Sequence, residues 1–333
     1  MPLKANDGLC SPGVKLHGAG FIVTPEQAKA LGLGTRAGLE AHIRDYRNGR
    51  DLLQRPRGAM VIDLFGLSEN EVMDRFPEVY QHLLTTVRAG RAAQVERSPT
   101  ADARAYLDRW WIFGKPRTEL RPALAGLSRY IGTTETAKHR LFQFLDASVV
   151  PDNMVVALAS ADPFHLGVLS SSTHLLWTYA KCSLLGVATF EQGHRYNKSL
   201  IFDPFPFPDP SEAVAQIAER LDALRRTALA ENPSLTMTGL YNLVEDVRSG
   251  ATLPPEREGA AVKARARIVA KLHDDLDAAV ADAYGWGEDW RREPLPAAEI
   301  VARLVALNAQ RAAEEAAGHI RWLRPEYQQP RFG

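Results

Sequence analysis

The chain has 333 residues, with forty Lys and Arg set against forty Asp and Glu, so its formal charge is zero. That excludes a protein-wide basic field, and any polyanion must meet a local patch. Two distant cysteines, Cys10 and Cys182, argue against a disulfide framework or a thiolate metal site and suit a reducing cytoplasm.

The N-terminal MPLKANDGLC lacks the apolar core of a signal peptide, and no apolar run approaches the ~18 residues of a membrane span. The length suits two or three domains. Glycine breaks up the first sixty-odd residues, and Gly18-Ala19-Gly20 reads as a tight turn rather than a nucleotide loop. FIVTPEQAKAL predicts a strand, a Thr24 cap, Pro25 at the first helical position and a short helix. MVIDLFGL has the length of a strand. SENEVMDRFPEVYQHLLTTVRAG then carries apolar residues at helical spacing, capped by Ser68 and stopped at Gly90.

From about residue 110 the texture changes. RYIGTT, HRLFQFL, MVVALA and FHLGVLSS read as short strands, followed by a helix over STHLLWTYAKC and a glycine-bearing loop, LLGVATFEQGHRYNKS. LIF reads as a strand closing the block. Pro204, Pro206, Pro208 and Pro210 then enforce an extended exit. Beyond Ser211 three amphipathic helices are predicted, over SEAVAQIAERLDALRRTALAENP, AAVKARARIVAKLHDDLDAAVADAYG and PAAEIVARLVALNAQRAAEEAAG. The expected fold class is α+β: a mixed N-terminal connector over 1–108, an α/β unit over 109–210 and a helical domain over 211–333.

Motifs for catalysis are missing. DPFP at 203–206 resembles the (Asn/Asp)-Pro-Pro-aromatic loop of amino-methyltransferases but places Phe205 where the second proline belongs. There is no G-x-G-x-x-G after a strand, no phosphate-binding G-x-x-x-x-G-K-[ST], no H-E-x-x-H and no C-x-x-C. No catalytic residue, bound cofactor or metal ligand is therefore assigned.

Three stretches together resemble a known family. RYIGTTETAKHRLFQFL, GVLSSSTHLLWTYA with RYNKSLIFDPFPFPDP, and LHDDLDAAVADAYGWGEDW with LVALNAQRAAEEAAGHIRWLRPEYQ are similar to the C-terminal part of Type IIL, MmeI-like restriction–modification enzymes. The likeness extends to related class I adenine-specific DNA methyltransferases, including those of phage-defence systems. GAGFIVTPEQA and YRNGRDLLQRPRGAMVIDLFGL resemble the segment joining catalytic and recognition domains. The resemblance implies adenine-N6 methylation with S-adenosylmethionine for a complete enzyme. For this chain it implies recognition of double-stranded DNA, with the methyltransferase domain separate or upstream. Two rival readings stay open: a complete methyltransferase with a divergent cofactor site in residues 1–66, and a helical protein-interaction subunit that never touches DNA.

Six cations between residues 115 and 140 form local positive charge suited to phosphates: Lys115, Arg117, Arg121, Arg129, Lys138 and Arg140, with His139 beside them. Arg195, Tyr196, Asn197 and Lys198 have the side chains of base-edge readers. Ser171 and Thr173 open a helix, as a cap first and a phosphate contact second, and Lys181 completes the expected DNA-binding set. Trp110, Trp111, His174 and Trp177 are expected to pack internally, as are Trp286, Trp290, Trp322 and Tyr327 in the helical domain.

Overall fold

The computed structural model describes residues 1–183, 194–250, 260–293 and 295–333. Its strands are β1 (Cys10–Pro12), β2 (Ile22–Val23), β3 (Ile43–Arg47), β4 (Met60–Ile62), β5 (Arg129–Thr134), β6 (Thr136–Ala137), β7 (Gln143–Asp146), β8 (Val150–Pro151), β9 (Val155–Leu158) and β10 (His194–Arg195). They form one sheet in the order β1-β9-β5-β7, a second in the order β2-β4-β3-β8, and a two-stranded ribbon of β6 and β10. All pairings are antiparallel except β3 with β8. The fold is α+β, with helices dominating after residue 211.

Local chemistry explains the first helices. Thr24 accepts from the Gln27 amide while Gln27 accepts from Thr24 N–H, and Pro25 supplies a preset φ at the first position. The same reciprocal cap, Asn48 with Asp51, starts the helix Gly49–Leu53, and Ser68 with Glu71 starts Glu69–Arg75. The single helix expected from Ser68 to Gly90 is corrected. Pro77 cannot donate to Met73 and disfavours a helical Phe76, so the chain breaks there and restarts over Pro77–Leu83. A π-helical turn, Leu84–Arg88, then leads into Ala89–Arg97.

Gly90 does not stop this helix. Arg91, buried beside it, donates to the carbonyls of Leu16, His17, Tyr106, Arg109 and Ile112. These bonds to a charged donor outweigh the ~1 kcal/mol that a helical glycine costs.

Two strand expectations give way to helices and two are shortened. FHLGVLSS forms the helix Pro163–Ser170, capped by Asp162, whose carboxylate accepts from Phe164 N. Its residues Phe164–Leu169 are all buried, so no amphipathic period marks it in the sequence. A Cβ on Gly167 would lie 2.6 Å from Val214, so glycine alone lets the helix Glu212–Glu231 cross this closely. LIF ends in a short helix, Lys198–Ile201, because Asn197 caps it. Within HRLFQFL only Gln143 to Leu145 join β7, and MVIDLFGL contributes only Met60–Ile62.

Helices Glu212–Glu231, Ala260–Ala283 and Ala297–Ala316 match the predicted segments. The helix Met237–Ser249, capped by Thr236, had no sequence expectation.

Two cores result. The smaller gathers Phe21, Leu39, Val61, Phe76, Leu83 and Trp110 with Val150. The larger joins Ile131, Leu158, Trp177 and Phe205 to Leu221, Leu240, Val269, Leu276 and Tyr327, so the β5 sheet and the C-terminal helices bury one continuous interior. The proline exit belongs to it: Phe205 and Phe207 are buried, and the Asn6 amide donates to the carbonyls of Phe202, Asp203 and Phe205.

Candidate nucleic-acid interface

The β6–β10 ribbon carries the best-placed reader. Strand pairing sets Arg195 opposite Thr136, and Tyr196 N–H bonds Glu135 O at 2.7 Å. A side chain one residue further on points to the other face of the ribbon. Arg195 accordingly projects outward, 75% exposed, while Tyr196 is buried.

Glu135 binds Arg195 Nε at 2.5 Å, and Nη1 and Nη2 meet no acceptor among the described residues. Two parallel N–H donors therefore face outward, the geometry that matches guanine O6 and N7.

Beneath the ribbon lies a rigid support. The Arg140 guanidinium donates to Thr133 Oγ1, Thr134 O and Glu135 O and stands 5.3 Å from the Tyr196 ring centroid. The Tyr196 hydroxyl lies 3.1 Å from His174 Nε2, and Phe142 meets both rings edge-on. Burial pushes His174 down to about 3, helped by the charge of Arg140, so the imidazole is neutral at physiological pH. Burial also pushes Arg140 down to about 10, which leaves it charged.

The remaining expected contacts separate clearly. Lys138 is exposed, and its ammonium bonds Asn242 and Glu245 at 2.9 and 3.1 Å. His139 lies against the same two residues, both from Met237–Ser249. Asn197 is exposed, and its Oδ1 caps Ser199 N, leaving the NH2 group without an acceptor among the described residues. Lys198 pairs with Asp203, and Lys181 sits over the Trp177 ring at 4.3 Å.

Tyr196, Arg140, Ser171 and Thr173 are corrected from contacts to supports, since none presents a polar end to a ligand. Ser171 and Thr173 are each about 1% exposed. The helix end they open is already occupied, because Asp277 accepts from Ser172 N at 2.7 Å.

The segment 115–140 is also not one basic face. Arg121 pairs twice with Asp63, Arg129 twice with Glu219, and Arg117 donates to Gly13 O. Only Lys115 extends to solvent without an ion pair among the described residues.

Sequence reasoning missed Arg50. It is exposed, lacks an ion pair among the described residues, and lines an open groove of about 600 Å³ with Asn48, Thr136 and Met154, against the ribbon. Its signal was available in NGRD, where the Asn48–Asp51 cap turns the intervening arginine outward. Residues 184–193 of the expected glycine-bearing loop lie outside the described residues.

A family model described as "MmeI, target recognition domain" matches residues 13–209. No curated protein matches the chain. A solved structure of the Type IIL restriction–modification enzyme MmeI in complex with DNA is similar over 94% of this chain, with a TM-score of 0.63 and 19% sequence identity. The chain spans 36% of that protein's length.

Proposed function

Since the chain belongs to the MmeI target recognition domain family, we propose that it reads a short site in duplex DNA for an adenine-N6 methyltransferase. The ribbon carries this reading: its exposed Arg195 is oriented by Glu135 and backed by the buried Arg140–Tyr196–His174 assembly. A planar fork held on a rigid mount discriminates between bases, because a wrong base leaves its donors unpaired.

Residues 109–210 do the reading, 1–108 form the connector to the catalytic module, and 211–333 buttress the recognition sheet. Arg195 and Asn197 are the base readers, with Lys115 and Lys138 on the phosphates, in a division of labour common to DNA-binding proteins. In the complete enzyme S-adenosylmethionine supplies the methyl group, and the catalytic domain extrudes the adenine from the stack.

Methylation-site mapping in the reconstituted enzyme identifies the site. Binding of this chain to matched and singly mismatched duplexes is then the test. Arg195→Ala should cost about 1–3 kcal/mol on the true site and relax preference at one position. Unchanged preference in that variant removes Arg195 from the reading role.

A further inference from the structure

The molecule has a second, unassigned cleft of about 1020 Å³, remote in sequence from the ribbon and walled by the turn at His17–Gly20 and the π-helical Leu84–Arg88. Its floor is an unusual cross-link. Lys15 and Lys115 exchange both backbone hydrogen bonds, at 3.0 and 2.9 Å, which sets two exposed lysines side by side at the cleft. Neither has an ion pair among the described residues.

Backbone strain gathers at the same place. Among the described residues, His17 and Arg117 alone combine a side chain with a left-handed φ, at 51° and 56°. Each lies two positions beyond one of the paired lysines. Such strain persists where the surroundings over-determine it, and it concentrates at functional sites. π-helical turns concentrate there too.

The surroundings fix His17 firmly. Its ring stacks on Tyr106 with centroids 4.4 Å apart, and Gly114 leaves no room for a Cβ against it, at 2.5 Å. Both ring nitrogens are without a partner among the described residues. The imidazole thus sits on a left-handed backbone in a cleft that the two lysines also line, with its hydrogen-bonding capacity unused among the described residues. Lys15, Lys115 and Arg91 outnumber Asp102, the one carboxylate among the lining residues, and with the His17 donor they suit oxygen atoms bearing negative charge.

We propose that this cleft binds the phosphodiester backbone of a DNA strand outside the recognised bases, with Lys15 and Lys115 on adjacent phosphates and His17 donating to one of them. The inference rests on the DNA-reading function above. It assigns grip to this cleft and leaves sequence choice to the ribbon.

The test is salt-dependent duplex binding by the full chain carrying Lys15→Gln, Lys115→Gln or both. Each substitution should make the log–log salt slope shallower by about one, equally for matched and mismatched sites. His17→Asn keeps a residue tolerant of left-handed φ, removes the ring, and should weaken all duplexes by about tenfold. Thermal midpoints verify that the variants are folded. If wild type binds DNA and Arg195→Ala alters preference while the lysine and His17 variants change nothing, this cleft is not a DNA site and the ribbon reading survives. If wild type binds no duplex at any salt, both fall.

Discussion

The ribbon and the second cleft both present cations to solvent, but under opposite constraints. In the ribbon the base-reading cation is held by a carboxylate, Arg195 by Glu135. In the cleft Lys15 and Lys115 have no such partner, and the backbone rather than the side chain is constrained. A tethered fork sacrifices part of its charge for direction, which favours discrimination. A free ammonium keeps its full charge and its mobility, which favours attraction without discrimination. Reading and gripping thus differ in how the cations are held, not in how many there are.

The largest test removes the ribbon's mount. Arg140→Met keeps most of the volume but strips the donors from Thr134 O and Glu135 O, and should cost about 3–4 kcal/mol, because two carbonyls lose hydrogen bonds to a charged donor. Urea unfolding measures it, and a loss below about 1 kcal/mol would show that the ribbon does not depend on this arginine.

Next comes the helix end behind the ribbon. Burial holds the Asp277 carboxyl up at about 6, against 3.8 for the free group. The unfolded chain loses that proton first as pH rises, so the native state is the one that binds more protons between about pH 4 and 6. Stability should fall across that window by up to about 3 kcal/mol. Asp277→Asn keeps an acceptor for Ser172 N and should flatten the fall. An unchanged pH profile in this variant would contradict the assignment.

A smaller effect separates orientation from charge. Glu135→Gln keeps a hydrogen-bond acceptor beside Arg195 but removes the ion pair. It should raise affinity for all duplexes at low salt while reducing site preference by about 1 kcal/mol, a lower bound for one base contact. Competition binding at two salt concentrations resolves the two changes. Improved affinity with undiminished preference would mean that the tether plays no part in reading.

The smallest expected effect is Tyr196→Phe. Loss of the hydroxyl from His174 should cost about 1 kcal/mol of stability and leave base preference intact. A changed preference would make Tyr196 more than a support.

The sequence carried much of this architecture where local rules act alone. The Thr24 and Ser68 caps follow from side chains three positions from their targets, and the long C-terminal helices advertise themselves by period. Pro163–Ser170 was invisible because burial on every side erases amphipathicity. The interface was only partly legible for a related reason. Charge is visible in a sequence but its neutralisation is not: Arg121 meets Asp63 and Arg129 meets Glu219 across 58 and 90 positions. The alternation at Arg195 and Tyr196 was in principle readable, since neighbouring strand residues face opposite ways. It required knowing that a strand begins at His194.

The continuous interior beneath the recognition sheet also bears on how the molecule comes apart. Ile131 and Leu158 share a core with Leu240 and Leu276, and Phe205 and Phe207 of the proline segment pack within it. A protease cut at residues 204–210 would therefore not release two folded halves, although composition changes sharply there. Amides of β5 and of the helix Ala260–Ala283 should open to hydrogen exchange as one cooperative unit. Exchanging recognition segments between relatives would have to carry the helical residues that face them, whereas changes at the ribbon's outer edge need no such accompaniment.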